Sequence, residues 1–215
     1  MTDTRAQRIR QASFERREQQ KEATRRRILE AAAQLFDAVG YAGFSLRQVA
    51  ERAGYTATAV YAHFQDKDDL IFSVAHTGFE TFYTWLSQAL HTAHTPLDRL
   101  QALAVAYVRF GLTYPMHYRL MFMQGSDFLT ACAEGKQPRV ASLNLLIHAV
   151  EQAITAGDLD GNRVSAQQLT AALWSAVHGP VSLHLSQPAL LPLPLVLPTA
   201  QTLVQATLDR FSPPG

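Results

Sequence analysis

Residues 45–64 read Ser-Leu-Arg-Gln-Val-Ala-Glu-Arg-Ala-Gly-Tyr-Thr-Ala-Thr-Ala-Val-Tyr-Ala-His-Phe. This stretch spells two short helices joined by a tight turn. The Ser45 hydroxyl is placed to cap the first helix, and Gln48 three residues later completes a capping-box pattern. Leu46, Val49, Ala50 and Ala53 then make one apolar face. Gly54 ends that helix and permits the positive φ of the turn. Thr56 caps a second helix expected from Ala57 to Phe64. A small residue at Ala50 lets the two helices approach, and the branched Val60 locks the second one in place. The second helix presents Thr56, Ala57, Thr58, Ala59 and His63. These are small or polar, which suits close approach to base edges in a major groove. Positions 50, 54 and 60 alone also fit an ordinary helical corner with a glycine turn.

Working outward, Ile28, Leu29, Ala32, Leu35, Phe36 and Val39 form an apolar stripe at helical spacing from about Thr24, ended by Gly40. Downstream, Asp66 caps a long fourth helix, with Asp68 and Asp69 favourable at its positive end. Leu70, Ile71, Val74, Phe79, Phe82, Leu86 and Leu90 hold its period to about His91. Further helices are expected at Pro96–Tyr114, Met116–Met123, Pro138–Ala156 and Ser165–Ser186. Residues 124–137 read as a loop. Pro188, Pro192, Pro194 and Pro198 exclude a continuous helix over 187–198, so a last helix is expected from about Pro198 to Phe211. No strand pattern and no repeat is present. The expectation is an all-α chain of about nine helices: a flexible basic arm over 1–22, a three-helix DNA-binding domain over 23–67, and a helical domain over 68–215.

Charge is uneven along the chain. Residues 1–67 carry 12 Lys/Arg against 8 Asp/Glu, a net +4, while the remainder carries 7 against 10, a net −3. A basic end attracts polyanions by counterion release. The composition, 47% hydrophobic and 17% charged, is that of a globular protein. No apolar run approaches the roughly 20 residues that span a bilayer, and no apolar stretch follows the basic start as in a secretory signal. The single cysteine, Cys132, has no partner for a disulfide or a zinc pair and reads as a buried small hydrophobe. A cytoplasmic protein with no membrane partner is expected.

The run from Arg27 to Leu70 resembles the DNA-binding domain of the TetR family of bacterial repressors. The residues that carry the likeness are Ile28-Leu29-Glu30-Ala31-Ala32, Leu35-Phe36, Gly40-Tyr41, Ser45 to Ala50, Ala53-Gly54 and Val60 to Leu70, with its Tyr-x-His-Phe-x-x-Lys segment. More weakly, Pro115 to Phe122 and Trp174-Ser-Ala-Val-His178-Gly179 resemble members whose ligand domain is named for a Trp–His–Gly signature. The resemblance implies an all-helical homodimer on operator DNA, with the last two helices of each subunit forming the dimer interface. It implies a repressor whose small-molecule effector moves the fourth helix and releases the DNA. Matching positions imply that Arg47, Ala57, Thr58 and Ala59 face bases and that Tyr61, His63 and Lys67 contact phosphates. Arginines of the arm could enter an adjacent minor groove.

In the C-terminal part, an aromatic surplus beside few ionisable groups points to a cavity for an apolar or aromatic effector. Tyr107, Phe110, Tyr118, Phe122, Trp174 and His178 are its candidate wall, with His178 or a tyrosine hydroxyl as polar anchor. His178, one turn from Trp174, equally reads as a satisfied buried polar group. The last helix offers Leu203, Val204, Ala206, Thr207 and Leu208 as a dimer surface. His91 and His94 have metal-like spacing on a helix face, but no cysteine or carboxylate cluster joins them, so no metal is expected. Nothing resembles a nucleophile elbow, phosphate loop or paired-carboxylate site, so neither catalysis nor a cofactor is expected. The rival reading is a helical small-molecule-binding protein whose helix-turn-helix is structural.

Overall fold

A computed structural model describes residues 5–123 and 138–213; the loop expected over 124–137, with Cys132, lies outside the described residues. Among them are nine α-helices and no strand. The chain divides into two compact units, one through Val74 and one from Ala75. The division falls inside the fourth helix rather than at the expected 67/68 boundary, because Leu70, Ile71 and Val74 are buried with the N-terminal core.

In the first unit, α1 (Arg5–Val39) begins at Arg5, not near Thr24. The 1–22 arm, expected to be a flexible coil with helix only near its end, is therefore helical from Arg5. Residues 5–23 contain no Gly or Pro and are rich in Arg, Gln, Glu and Ala, all strong helix formers. Gln11 Nε2 also donates to Glu15 Oε1 one turn on, at 2.8 Å. The side chains from Gln7 to Glu22 are exposed. The apolar stripe begins where it was read, at Ile28, and is buried through Phe36.

Helix α2 (Leu46–Ala53) has the capping box: Ser45 N–H donates to Gln48 Oε1 at 2.8 Å and Gln48 N–H to Ser45 Oγ at 3.4 Å. Gly54 closes it in the left-handed region, φ 76° and ψ 31°, where the Cβ of an L-residue would crowd the following carbonyl oxygen. Helix α3 (Ala57–Tyr61) stops short of Phe64. The amides of His63 and Phe64 both converge on the Val60 carbonyl at 3.0 Å, a tightened end that finishes the helix early. Val60 is fully buried. Helix α4 (Lys67–Leu90) is capped as read, with Asp69 N–H donating to Asp66 Oδ1 at 2.8 Å. It ends before His91, which leaves His91 and His94 in a turn and not on one helix face.

The second unit is built around α5 (Pro96–Thr113), which touches each of the later helices. Besides Pro96, a capping box starts it, Asp98 N–H to Thr95 Oγ1 and Thr95 N–H to Asp98 Oδ2, both 3.1 Å. Leu100, Leu103, Tyr107, Phe110 and Gly111 are buried. A Cβ on Gly111 would lie 2.6 Å from Val181 and 3.0 Å from the Tyr118 ring, so only hydrogen permits that approach. Helix α6 (Pro115–Tyr118) runs into a π-helical turn, Arg119–Met123, where one unbroken helix was expected. Then come α7 (Pro138–Thr155), α8 (Ala166–Ser186) and α9 (Leu193–Phe211). Helix α8 accepts Pro180 in its interior and α9 accepts Pro198. Helix α9 starts at Leu193, earlier than expected. Pro192 is its cap and Pro194 lies in its first turn, where no backbone N–H is needed, so only Pro198 removes a helical hydrogen bond.

Candidate nucleic-acid interface and apolar cavity

The polar groups of the first unit are organised locally. Thr56 spends its hydroxyl lone pair on the Ala59 amide at 3.2 Å, which fixes the start of α3. Arg47, Thr58 and Tyr61 are exposed, Tyr61 at 59%, while Ala57 and Ala59 are half-buried. These five residues form a surface of small side chains with one aromatic and one cation.

His63 is different. Burial depresses its pKa, and Arg25 and Lys21 of α1 depress it further. It is therefore a neutral imidazole at neutral pH, beside two cations of α1. Arg25 also stacks 4.7 Å over the Phe64 ring and donates to Ser73 Oγ at 3.2 Å.

Lys67 is employed inside the unit. Its ammonium donates to the Phe44 carbonyl at 2.6 Å and lies 4.4 Å from both the Tyr41 and Phe44 ring centres. The Tyr41 hydroxyl in turn donates to Asp68. This geometry speaks against Lys67 as a phosphate contact: a cation held between two rings and a carbonyl fixes the start of α4. The signal that could have shown it was the pair Tyr41 and Phe44, both aromatic and just upstream of the reading motif.

The second unit contains a cavity of about 170 Å³. Three of the six expected wall residues line it: Tyr107, Phe122 and Trp174. Phe122 reaches it from the π-helical turn, a local widening often found at functional positions. Much of the wall was missed. It includes Phe79, Phe82 and Leu86 of α4 and Leu100, Leu103 and Ala104 of α5. Ser142, Leu143 and Leu146 of α7 face Leu173 and Val177 of α8, and Val204 of α9 completes it. Apolar periodicity marked many of these as core and could not tell a wall from a filled interior.

Phe110, Tyr118 and His178 do not line the cavity. Phe110 is fully buried behind Phe82, with ring centres 4.9 Å apart. Tyr118 and His178 form a hydrogen-bonded group with two wall residues. Trp174 Nε1–H donates to Tyr107 Oη at 3.1 Å. Tyr107 Oη lies 3.1 Å from Tyr118 Oη and 3.0 Å from His178 Nδ1, and Tyr118 Oη lies 2.7 Å from His178 Nδ1. Burial raises both tyrosine pKa values and lowers that of His178, so all three groups are neutral. Among the described residues no group of three His, Cys, Asp or Glu side chains could hold a metal ion, and no helix is long and apolar enough to cross a membrane.

Two family models match, the bacterial regulatory proteins of the tetR family over residues 28–74 and the "Tetracyclin repressor-like, C-terminal domain" over residues 100–211. The chain belongs to the TetR family. The description of its C-terminal match names no Trp–His–Gly signature. A curated relative is the HTH-type transcriptional activator FasR of Mycolicibacterium smegmatis, 30% identical over 118 residues. That match covers 55% of this chain and 53% of FasR, so this TetR-family chain spans about half of that relative's length. Among solved structures, a protein of unknown function from Rhodococcus sp. RHA1 is 26% identical, with TM-score 0.71 over 88% of this chain and 96% of that one. SmeT, the repressor of the Stenotrophomonas maltophilia multidrug efflux pump SmeDEF, is 20% identical with TM-score 0.69, over 91% and 93%. It shares the fold.

Proposed function

We propose that the protein is a DNA-binding transcription regulator that acts in the cytoplasm as a homodimer and leaves its operator when a small apolar effector binds. The observation that carries this reading is the α2–α3 surface: Arg47, Thr58 and Tyr61 are exposed beside the half-buried Ala57 and Ala59, on two helices whose starts are fixed by side-chain caps. Arg47 and residues 57–59 would read base edges, and Tyr61 would contact phosphate. His63 would do so as a neutral donor, with Lys21 and Arg25 supplying charge. The helical arm, six of whose residues through Lys21 are basic, would follow the backbone as a rod and not thread the minor groove. The effector would occupy the cavity. Phe79, Phe82 and Leu86 in its wall belong to the helix that starts at Lys67, so a ligand that shifts α4 has a route to the reading head. A coupling of about 1–3 kcal/mol would change operator affinity several-fold to about a hundred-fold.

The dimer reading rests on α8 and α9, which expose Leu183, Leu193, Leu195 and Leu203 at 40–56%. Such a face is costly in water and suits a symmetric four-helix contact. Val204 and Leu208, first read as part of that face, are buried at 2% in their own subunit. Leu203→Glu with Leu195→Glu is therefore the clean interface test, whereas Leu208→Glu would unfold the core. The regulator reading is tested by fluorescence anisotropy on DNA from upstream of the protein's own gene. We expect salt-sensitive binding by the dimer that weakens strongly in Thr58→Glu; no preference for that DNA over random duplex would refute the reading.

A further inference from the structure

The four-residue group Trp174–Tyr107–Tyr118–His178 decides what polar chemistry the cavity offers. Its atoms are close enough that hydrogens must be shared; each tautomer of His178 allows two chain directions, and the shortest contact, Tyr118 Oη to His178 Nδ1 at 2.7 Å against 3.0 Å for Tyr107 Oη, selects the one that runs through Tyr118. Trp174 Nε1–H always donates to Tyr107 Oη. If His178 carries its proton on Nε2, Nδ1 is an acceptor. Tyr118 then donates to Nδ1 across the shortest contact, 2.7 Å, and Tyr107 donates to Tyr118. Every hydroxyl proton is spent inside the group. If the proton sits on Nδ1 instead, the direction reverses: Nδ1–H donates to Tyr118, and Tyr118 to Tyr107. Tyr107 Oη then accepts from Trp174 and Tyr118 and has one proton with no acceptor left in the group. Tyr107 and Trp174 line the cavity, whereas Tyr118 and His178 stand behind them. The released donor is therefore at the wall.

Resting on the reading of this cavity as the effector site, we infer that the effector is a neutral, ring-sized molecule with a single hydrogen-bond acceptor, received by Tyr107, and that its binding moves the His178 proton from Nε2 to Nδ1. Size follows from the volume: an apolar cavity of about 150 Å³ holds one benzene ring, and this one is about 170 Å³. Neutrality follows from the wall, where no charged side chain stands among the described residues. A carboxylate there would be an uncompensated buried charge. The single acceptor follows from the proton count, because only one donor is released and Ser142, the other hydroxyl in the wall, already has a partner. His178 faces the Tyr107 and Tyr118 hydroxyls and the Trp174 and Phe122 rings, so the proton exchange is between two neutral tautomers. His178 is thus a positioning residue, acting through Tyr118 and Tyr107.

The test compares ethylbenzene, acetophenone and benzoate, matched in size, by calorimetry on the full chain and on Tyr107→Phe and His178→Phe. Acetophenone carries the acceptor, ethylbenzene lacks it and benzoate is charged. In the parent protein acetophenone binds and benzoate does not. In Tyr107→Phe the preference for acetophenone over ethylbenzene falls about two- to ten-fold, the worth of one net hydrogen bond. In His178→Phe it rises by a similar factor, because with Nδ1 gone Tyr118 can donate to Tyr107 with no change of tautomer and leave the Tyr107 proton to the ligand. That gain is one a merely structural histidine would not give. Nitrogen NMR of His178 shows the Nε2–H to Nδ1–H change with acetophenone and not with ethylbenzene. Both arenes binding with one preference in all three proteins, or benzoate binding best, overturns the inference and leaves the cavity as an effector site. Neither arene binding any of the proteins overturns the inference and the effector-site reading together.

Discussion

The two units keep their candidate chemistry in opposite places. In the N-terminal unit Arg47, Thr58 and Tyr61 are exposed, and the fold rests on other residues: Gly54, Val60 and the Ser45–Gln48 box. In the C-terminal unit many of the groups that face the cavity are also its core: Phe82, Leu103 and Tyr107 are at most 5% exposed and pack as they line. A surface reader can change specificity without losing stability. A cavity wall cannot, because each substitution alters packing and void together. The units should therefore respond differently to the same kind of change.

The largest contrast is expected from Phe110→Ala. Phe110 is fully buried beneath the wall against Phe82, Trp85 and Tyr114. Its loss should cost about 3–5 kcal/mol, read as an earlier thermal transition in the second unit, with hydrogen exchange in residues 28–64 unchanged below that transition. If protection in the first unit falls in parallel, the units are not separable in stability. Next in size is Gly54→Val. Space is not the obstacle, because a Cβ at Gly54 meets nothing within 4 Å. The backbone is: φ of 76° is strained for a β-branched residue by about 1–3 kcal/mol. Specific DNA binding should be lost while the second unit melts as before, and Gly54→Asn should recover part of it.

The same difference explains what could be read in advance. Caps and turns are local, so Ser45, Gly54, Thr56 and Asp66 announced themselves within four residues, and the reading head was legible almost entirely. The stripe from Ile28 and the long α4 were legible from periodicity. The cavity was legible only as an aromatic surplus, because its wall is assembled from α4, α5, the π-helical turn, α7, α8 and α9. Which of many core residues border a void depends on how the helices pack in three dimensions, and no spacing rule encodes that. The arm misled because a missing apolar stripe argues against packing, not against helix: residues from Arg5 onward form a helix whose side chains from Gln7 to Glu22 stay exposed. For Lys67 the motif position spoke only of a phosphate role, and its seat on the Phe44 carbonyl between the Tyr41 and Phe44 rings depends on packing that no spacing rule announces.

Lys67→Met sharpens the comparison inside the first unit. Holding an ammonium on the Phe44 carbonyl between two rings is worth on the order of 1 kcal/mol at a half-buried site. The variant should melt a few degrees earlier, with the slope of log affinity against log salt unchanged. A slope reduced by about one unit with stability intact would restore Lys67 as a phosphate contact.

The smallest effect separates the units by pH. Each holds one histidine with a lowered pKa, His63 through burial and the cations Arg25 and Lys21, and His178 through burial alone. For a base whose folded pKa lies below its unfolded value, the unfolded state binds more protons in the window between the two. Stability therefore rises with pH there. It is full above the unfolded value of about 6.5 and declines as pH falls below that. His178 is the more deeply buried of the two and has no charged neighbour to share its desolvation, so acid should weaken the second unit first. Nitrogen NMR at pH 7 should find both rings neutral. Following the two rings between pH 7 and 5 by NMR, together with hydrogen exchange, should show the C-terminal helices losing protection before α2 and α3. His63→Gln should flatten only the first unit's response. If residues 28–64 lose protection first, the cations beside His63 outweigh the burial of His178, and the first unit is the acid-sensitive one.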